Sequence, residues 1–211
     1  MVTVRDRIET MIESGRFAMT IAANLHRTRF FFLHHGETDW DRDGKLAGRI
    51  NAPLNGRGLA QARCAGEMLR SVGIRTICTS PQDRALMTAE IVAAQIHAPI
   101  ITIEGLKDCC FGDHDGAAAG DWFAEWRLGV TPEGAESLQR FRRRGITAMN
   151  TALAQAGPVL VVAHPGIYAA FLEAAGMADV TEWPAEHAAE AKPIFHQPMR
   201  ATRWHAETLA A

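Results

Sequence analysis

The 211-residue sequence predicts an α/β protein, a three-layer α/β/α sandwich around a mostly parallel central sheet. Three observations carry that expectation. Short apolar runs alternate with segments of helical period from about residue 28 onward, the order that parallel strands with helical crossovers require. The most apolar run, residues 158–163 (Pro-Val-Leu-Val-Val-Ala), is unbroken, as a central strand covered on both faces must be. Residues able to do chemistry directly follow several of these runs, where open α/β sheets bind ligands beyond the carboxyl ends of their strands.

The elements follow in chain order. Residues 1–27 mix Arg5, Arg7 and Arg16 with Asp6, Glu9 and Glu13, unlike the positive region of a secretory signal. Val4, Ile8, Met11 and Ile12 share one helical face, so a helical N-terminal extension (1–27) is expected before a single α/β domain (28–211). Residues 29–33 (Arg-Phe-Phe-Phe-Leu) read as a buried strand, and 36–55, rich in Gly, Asp and Asn, as a long loop. Residues 58–72 carry Leu59, Ala62, Ala65, Met68 and Leu69 on one helical stripe that Gly73 ends. A strand at 75–79, a helix opened by Pro81 and running to 97, and a strand at 99–103 come next. A second Gly/Asp-rich loop spans 106–119, followed by helices at 121–128 and 135–156. After strand 158–163 a helix runs to 175, and the region from 192 supplies one or two edge strands.

Composition narrows the function classes. Hydrophobic residues make up 47% and charged residues 22%, the balance of a globular protein. A net charge of -2 offers no general attraction to nucleic acid or anionic membranes, so any phosphate recognition must be local. The run Arg140, Arg142, Arg143 and Arg144 has no adjoining aromatic platform and reads as a solvated helix face. No apolar run is long enough to span a bilayer. The four cysteines (Cys64, Cys78, Cys109, Cys110) show neither zinc spacing nor a disulfide framework, and a reducing cytoplasmic location is expected. Neighbouring His34 and His35 would point to opposite faces of a strand, which disfavours a shared metal ion. Asp113, His114 and Asp115 read as solvated loop residues, and Trp122 and Trp126 as core or pocket wall.

The sheet rule gathers the candidates. His34 and His35 follow the first strand, Ser80 the second and His164 the most apolar one. The segment Leu33-His34-His35-Gly36-Glu37-Thr38-Asp39-Trp40 joins a strand end to a glycine that admits close ligand approach, with hydroxyl and carboxylate groups beside it. Further on stand Pro53-Leu54-Asn55 to Gly58-Leu59-Ala60-Gln61-Ala62, and Thr79-Ser80-Pro81-Gln82-Asp83-Arg84-Ala85 with Thr88-Ala89. Pro132-Glu133-Gly134-Ala135-Glu136-Ser137 and the strand ending at His164-Pro165-Gly166 complete the set. In this order, over residues 28–175, these blocks resemble the histidine phosphatase superfamily, in its phosphoglycerate-mutase-like branch with an Arg-His-Gly-Glu-Thr signature.

The resemblance implies a phosphoglycerate-mutase-like sandwich and a phosphomonoesterase for a small phosphorylated metabolite, working through a phosphohistidine on His35. It implies Arg84 as a phosphate-binding arginine and His164 as the second histidine. His34, Gly36, Glu37, Thr38, Asp41, Gly48, Pro165 and Gly166 would line the phosphate site. No metal or other cofactor is required, and a homodimer is suggested by analogy alone. Asp108 occupies the place of the family's proton-donating Glu, with Glu37, Asp113 and Asp115 as weaker alternatives. This sequence departs from the pattern at His34 (for Arg), Asp41 (for Asn), Ala47 (for the Gln of a Gln-Gly pair) and Ala135 (for Gly). Losing one charged phosphate contact at His34 would cost on the order of 2–4 kcal/mol of transition-state binding. That is roughly a hundredfold or more in rate. Arg29, Arg42 and Arg49 are the candidates to replace it. The rival readings are a catalytically weak relative that binds a phosphorylated ligand or protein partner, and, less favoured, a phosphoglycerate mutase.

Overall fold

The computed structural model describes residues 25–177, 191–199 and 203–210; the expected N-terminal helix lies outside them for residues 1–24. Six strands form one sheet in the order β3-β2-β4-β1-β5-β6. They are β1 (Phe30–His34), β2 (Thr76–Thr79), β3 (Ile100–Thr102), β4 (Val159–Ala163), β5 (Ile194–Pro198) and β6 (Trp204–Thr208). β1, β2, β3 and β4 are mutually parallel, while β5 runs antiparallel to β1 and β6 antiparallel to β5. The mostly parallel α/β sandwich is therefore borne out.

Strand alternation builds the two faces. Phe30, Phe32, Val159, Val161 and Ala163 pack with Phe141 and Met149 of α5 (Leu138–Leu153) and Ile167 and Phe171 of α6 (Pro165–Ala174). Phe31, Leu33, Leu160 and Val162 pack oppositely, on Ala65 and Leu69 of α2 (Gly56–Leu69) and Ala85, Ala89 and Val92 of α3 (Asp83–Ile96). β1 and β4, fully buried, form the hydrophobic centre. Among the described residues no helix is long and apolar enough to cross a membrane.

Three local expectations change. The 36–55 loop contains a short helix, α1 (Asp39–Arg42), nucleated by a capping box between Thr38 and Asp41. Pro81 stays outside α3: Gln82 is the N-cap residue, and its side chain is spent across the site rather than on the helix. The helix expected from 135 starts at Leu138, capped by Ser137. Residues 135–136 are instead drawn into pairing with the preceding loop, through a Phe111–Ala135 bridge and the Glu136 N–H to the Cys110 carbonyl (2.8 Å). The helix at 121–128 is α4 (Asp121–Arg127), which buries Trp126.

Candidate active site

The carboxyl ends of β1, β2 and β4 are tied together just beyond the strands. His35 N–H donates to the Ala163 carbonyl and Ser80 N–H to that of Val162, each at 3.1 Å. Residues 35, 80 and 164 thereby meet at one edge of the sheet.

His35 is buried, and its Nδ1 lies 2.9 Å from the Gly36 carbonyl oxygen. A carbonyl only accepts, so Nδ1 carries the proton and Nε2 keeps its lone pair. Nε2 accepts a hydrogen bond from Arg84 Nε at 3.2 Å. Burial, with Arg84 adding to it, pulls the imidazole pKa down to about 4, against smaller opposing effects of Asp41 and the Gly36 carbonyl. At neutral pH the ring is uncharged, with its Nε2 lone pair facing Arg84.

Arg84, 1% exposed, engages all three of its guanidinium nitrogens. Besides His35 it donates to the carbonyls of Ile50 and Gly48 (3.1 Å each) and to Asp108 Oδ2 (3.1 Å). Gln82 joins the two walls of the cleft: its Nε2 donates to Gly48 O (2.8 Å) and its Oε1 accepts from Asp108 N–H (2.6 Å). Burial raises the Asp108 pKa; Arg84 and the Cys109 N–H oppose the shift and Asp41 reinforces it. His164 is fully buried, with Nε2 2.8 Å from Ser80 Oγ and Nδ1 3.9 Å from Asp108 Oδ2. Burial, then Arg84, His35, His34 and Arg144, hold its pKa well below the usual histidine range. The His35 and His164 rings lie 5.2 Å apart.

Comparison with known proteins names this arrangement. The family model of the histidine phosphatase superfamily (branch 1) matches residues 30–194. The chain belongs to the histidine phosphatase superfamily. It is 33% identical over 153 residues to the uncharacterized phosphatase PhoE of Bacillus subtilis, covering 71% of this chain and 78% of that one. It is 30% identical over 134 residues to GpmB of Proteus mirabilis, a protein named for phosphoglycerate mutase, covering 59% of this chain and 62% of that one. Among solved structures, the mycobacterial glucosyl-3-phosphoglycerate phosphatase complexed with VO3 superposes with a TM-score of 0.68 at 24% identity. That match covers 85% of this chain and 97% of the other, and shows the shared fold.

In this histidine phosphatase the cleft is lined by His35, Asp41, Lys45, Leu46, Ala47, Arg84, Asp108, Phe111, Pro165 and Gly166. Several expected residues support it from behind. Gly36 donates to Thr88 Oγ1 (3.0 Å), which donates to the Arg84 carbonyl (2.7 Å). Any Cβ on Gly36 would strike the Gly58 backbone, so loop and α2 close against each other only through glycine. Gly48 adopts φ 52° and offers its carbonyl to Arg84 and Gln82. Thr38 is buried and serves the capping box, leaving Asp41 Oδ2 to accept from its N–H (2.8 Å) and hydroxyl (2.7 Å).

Other expected residues do not line the cleft. Glu37 pairs with Asn55 (2.9 Å) and Arg57 (3.1 Å), pinning the loop to α2. His34, on the Phe30–Phe32 face of β1, packs edge-on against Phe32 and Tyr168, with ring centroids 5.2 Å away in each case. Arg42 is held by Asp39 and Asp43, Arg49 leans toward Glu136, and Arg29 is exposed at the far end of β1. The lining cations are Arg84 and Lys45. Asp115 braces its loop through Phe111 N–H (2.8 Å) and Arg49 N–H (3.1 Å). His114 stacks on Trp122, and Trp122, Phe123 and Trp126 surround Phe111 behind the cleft wall.

Sequence reasoning missed Lys45, Leu46 and Phe111 as lining residues, and Gln82 and Thr88 as supports. For Gln82 the available signal was its place between the end of β2 and Arg84, inside a motif that otherwise delivers side chains to the site.

Proposed function

We propose that the chain is a phosphomonoesterase for a small phosphorylated metabolite, with His35 forming a phosphohistidine. The supporting observation is the state of His35: buried and uncharged, with Nδ1–H fixed on a backbone carbonyl and the Nε2 lone pair directed to Arg84 in the cleft. Arg84 Nε–H turns from the Nε2 lone pair to a phosphoryl oxygen, and Nε2 then attacks phosphorus as the ester P–O bond breaks. Asp108, its pKa raised by burial, protonates the leaving oxygen and then accepts a proton from the water that cleaves the P–N bond. Arg84 exchanges Asp108 for the equatorial phosphoryl oxygens, joined by His164, and so stabilises the spread charge of the transition state. The scheme requires no metal. Residues 28–211 constitute the catalytic domain and residues 1–27 an extension to it; the enzyme works in the cytoplasm on a small molecule.

Assay of an aryl phosphate with and without chelator, using wild type and His35→Ala, tests the reading. Turnover is expected to vanish in His35→Ala and to survive chelator. Activity persisting in the variant sinks the mechanism, and activity lost to chelator sinks its metal-free part. Free phosphate is the expected product; an isomerised phosphoglycerate would favour a mutase. A second reading, a weak relative that chiefly binds phosphorylated ligands, is favoured by two carboxylates in the lining (Asp41 and Asp108) and by His34 standing outside it. Vanadate binding without turnover across a phosphorylated panel would select that reading.

A further inference from the structure

We infer that Arg144, with Glu136, is a positioning residue that fixes the proton donor Asp108 from outside the cleft. The inference rests on the phosphomonoesterase reading above. Arg144 lies on α5 beyond the strap that follows β3, and does not line the cleft. Each of its five N–H groups is used. Nη1 donates to the carbonyls of Gly105 (2.8 Å) and Lys107 (2.7 Å), and Nη2 to that of Asp108 (3.2 Å). Nε and Nη2 grip the two oxygens of Glu136 at 3.0 and 2.7 Å.

One guanidinium thus gathers the carbonyls of the strap that ends at Asp108 and secures them to a single carboxylate. Glu136 is itself anchored, its N–H on Cys110 O and its carbonyl receiving Trp126 Nε1, each at 2.8 Å. The strap lies flat on α5: a Cβ on Gly105 would come within 2.7 Å of Ala148 Cβ. On the inner side Gln82 holds Asp108 N–H and Arg84 holds its carboxyl group. The neighbouring arginines do other work. Arg142 pairs with Glu173 (2.7 Å), and Arg140 and Arg143 are exposed. Only a planar fork can bind three carbonyls and a bidentate carboxylate together; a lysine ammonium has three donors at one point.

A misplaced proton donor hurts most where the leaving group most needs a proton. A nitrophenolate departs without one, whereas an alkoxide does not. The test compares kcat/KM, which reports phosphoryl transfer to His35, for an alkyl phosphate and nitrophenyl phosphate. Arg144→Lys is expected to lower the alkyl value by roughly 10–100-fold and the aryl value less than about threefold, a partial loss of the roughly 100–10,000-fold that a positioned general acid contributes. Glu136→Gln, which keeps most of the local packing, shifts the ratio in the same direction by less and carries the test if Arg144→Lys fails to fold. In an Asp108→Asn background, Arg144→Lys adds less than about twofold, because its effect passes through Asp108. Equal losses on both substrates, or an unchanged ratio in both variants, would overturn the inference while leaving His35 chemistry intact. A wild type without His35-dependent aryl phosphatase activity would instead remove the underlying reading, and this role with it.

Discussion

Gln82→Leu offers a measurement of how firmly the two walls of the cleft are joined. Gln82 is 3% exposed and spends both amide atoms, Oε1 on Asp108 N–H and Nε2 on the Gly48 carbonyl. Leucine keeps most of the volume, so the cavity contribution is small. The Gly48 carbonyl retains Arg84 as a donor, whereas Asp108 N–H loses the acceptor that Gln82 supplied. The expected cost is that of one orphaned buried donor, about 1–3 kcal/mol. In a chain of this size that lowers Tm by roughly 2–12 °C, read by calorimetry and by urea unfolding at neutral pH. The alkyl phosphatase rate should fall with it, since the loss falls on the residue proposed as acid. A Tm within about 1 °C of wild type would refute the reasoning, by showing that water or a shifted strap replaces the amide without penalty.

Two further predictions follow from buried groups. The pKa values of His35, at about 4, and His164, well below 6.5, are depressed by folding, so the unfolded chain binds more protons between these values and 6.5. The contribution of these two histidines is therefore complete above about pH 6.5 and is lost as pH drops toward 4; His35→Gln should remove up to about 1.4 kcal/mol per pH unit of that slope, as urea titrations would reveal. Gly36→Ala forces a Cβ into the Gly58 backbone, whose carbonyl carbon would lie 2.8 Å away, and should destabilise by at least about 2 kcal/mol. A stably folded Gly36→Ala variant with wild-type activity would contradict the close packing of loop and helix.

How far the molecule was legible in sequence depended on the range of the forces involved. Strand alternation is local, so the run of phenylalanines in β1 and the apolar β4 could be read directly. The strand ends then placed His35, Ser80 and His164 together, since the sheet rule turns local signals into a shared edge. What escaped was partnering between distant loops. Nothing in the spacing of Gln82 announces Gly48 and Asp108, and Glu37, two residues from His35, is occupied by Asn55 and Arg57. The arginine run read as a solvated face because its charges were treated alike. Arg144 differs by standing between Phe141 and Ala148 on the buried stripe of α5, a position where an arginine needs partners. His34 illustrates the reverse case: strand alternation turned it into the aromatic layer beside Tyr168, which the signature alone could not indicate.

The pairing of Arg84 with Asp108 has a bearing on turnover. An open guanidinium in a phosphatase cleft attracts every oxyanion in solution, including the inorganic phosphate the enzyme would release. Here the guanidinium already holds a carboxylate at 3.1 Å, so each anion must displace an internal competitor. On the proposed mechanism, substrate brings binding energy from the rest of its structure and a leaving oxygen that Asp108 would protonate; free phosphate brings neither. On the proposed mechanism the ion pair would act as a return spring, closing as product departs and favouring weak product inhibition.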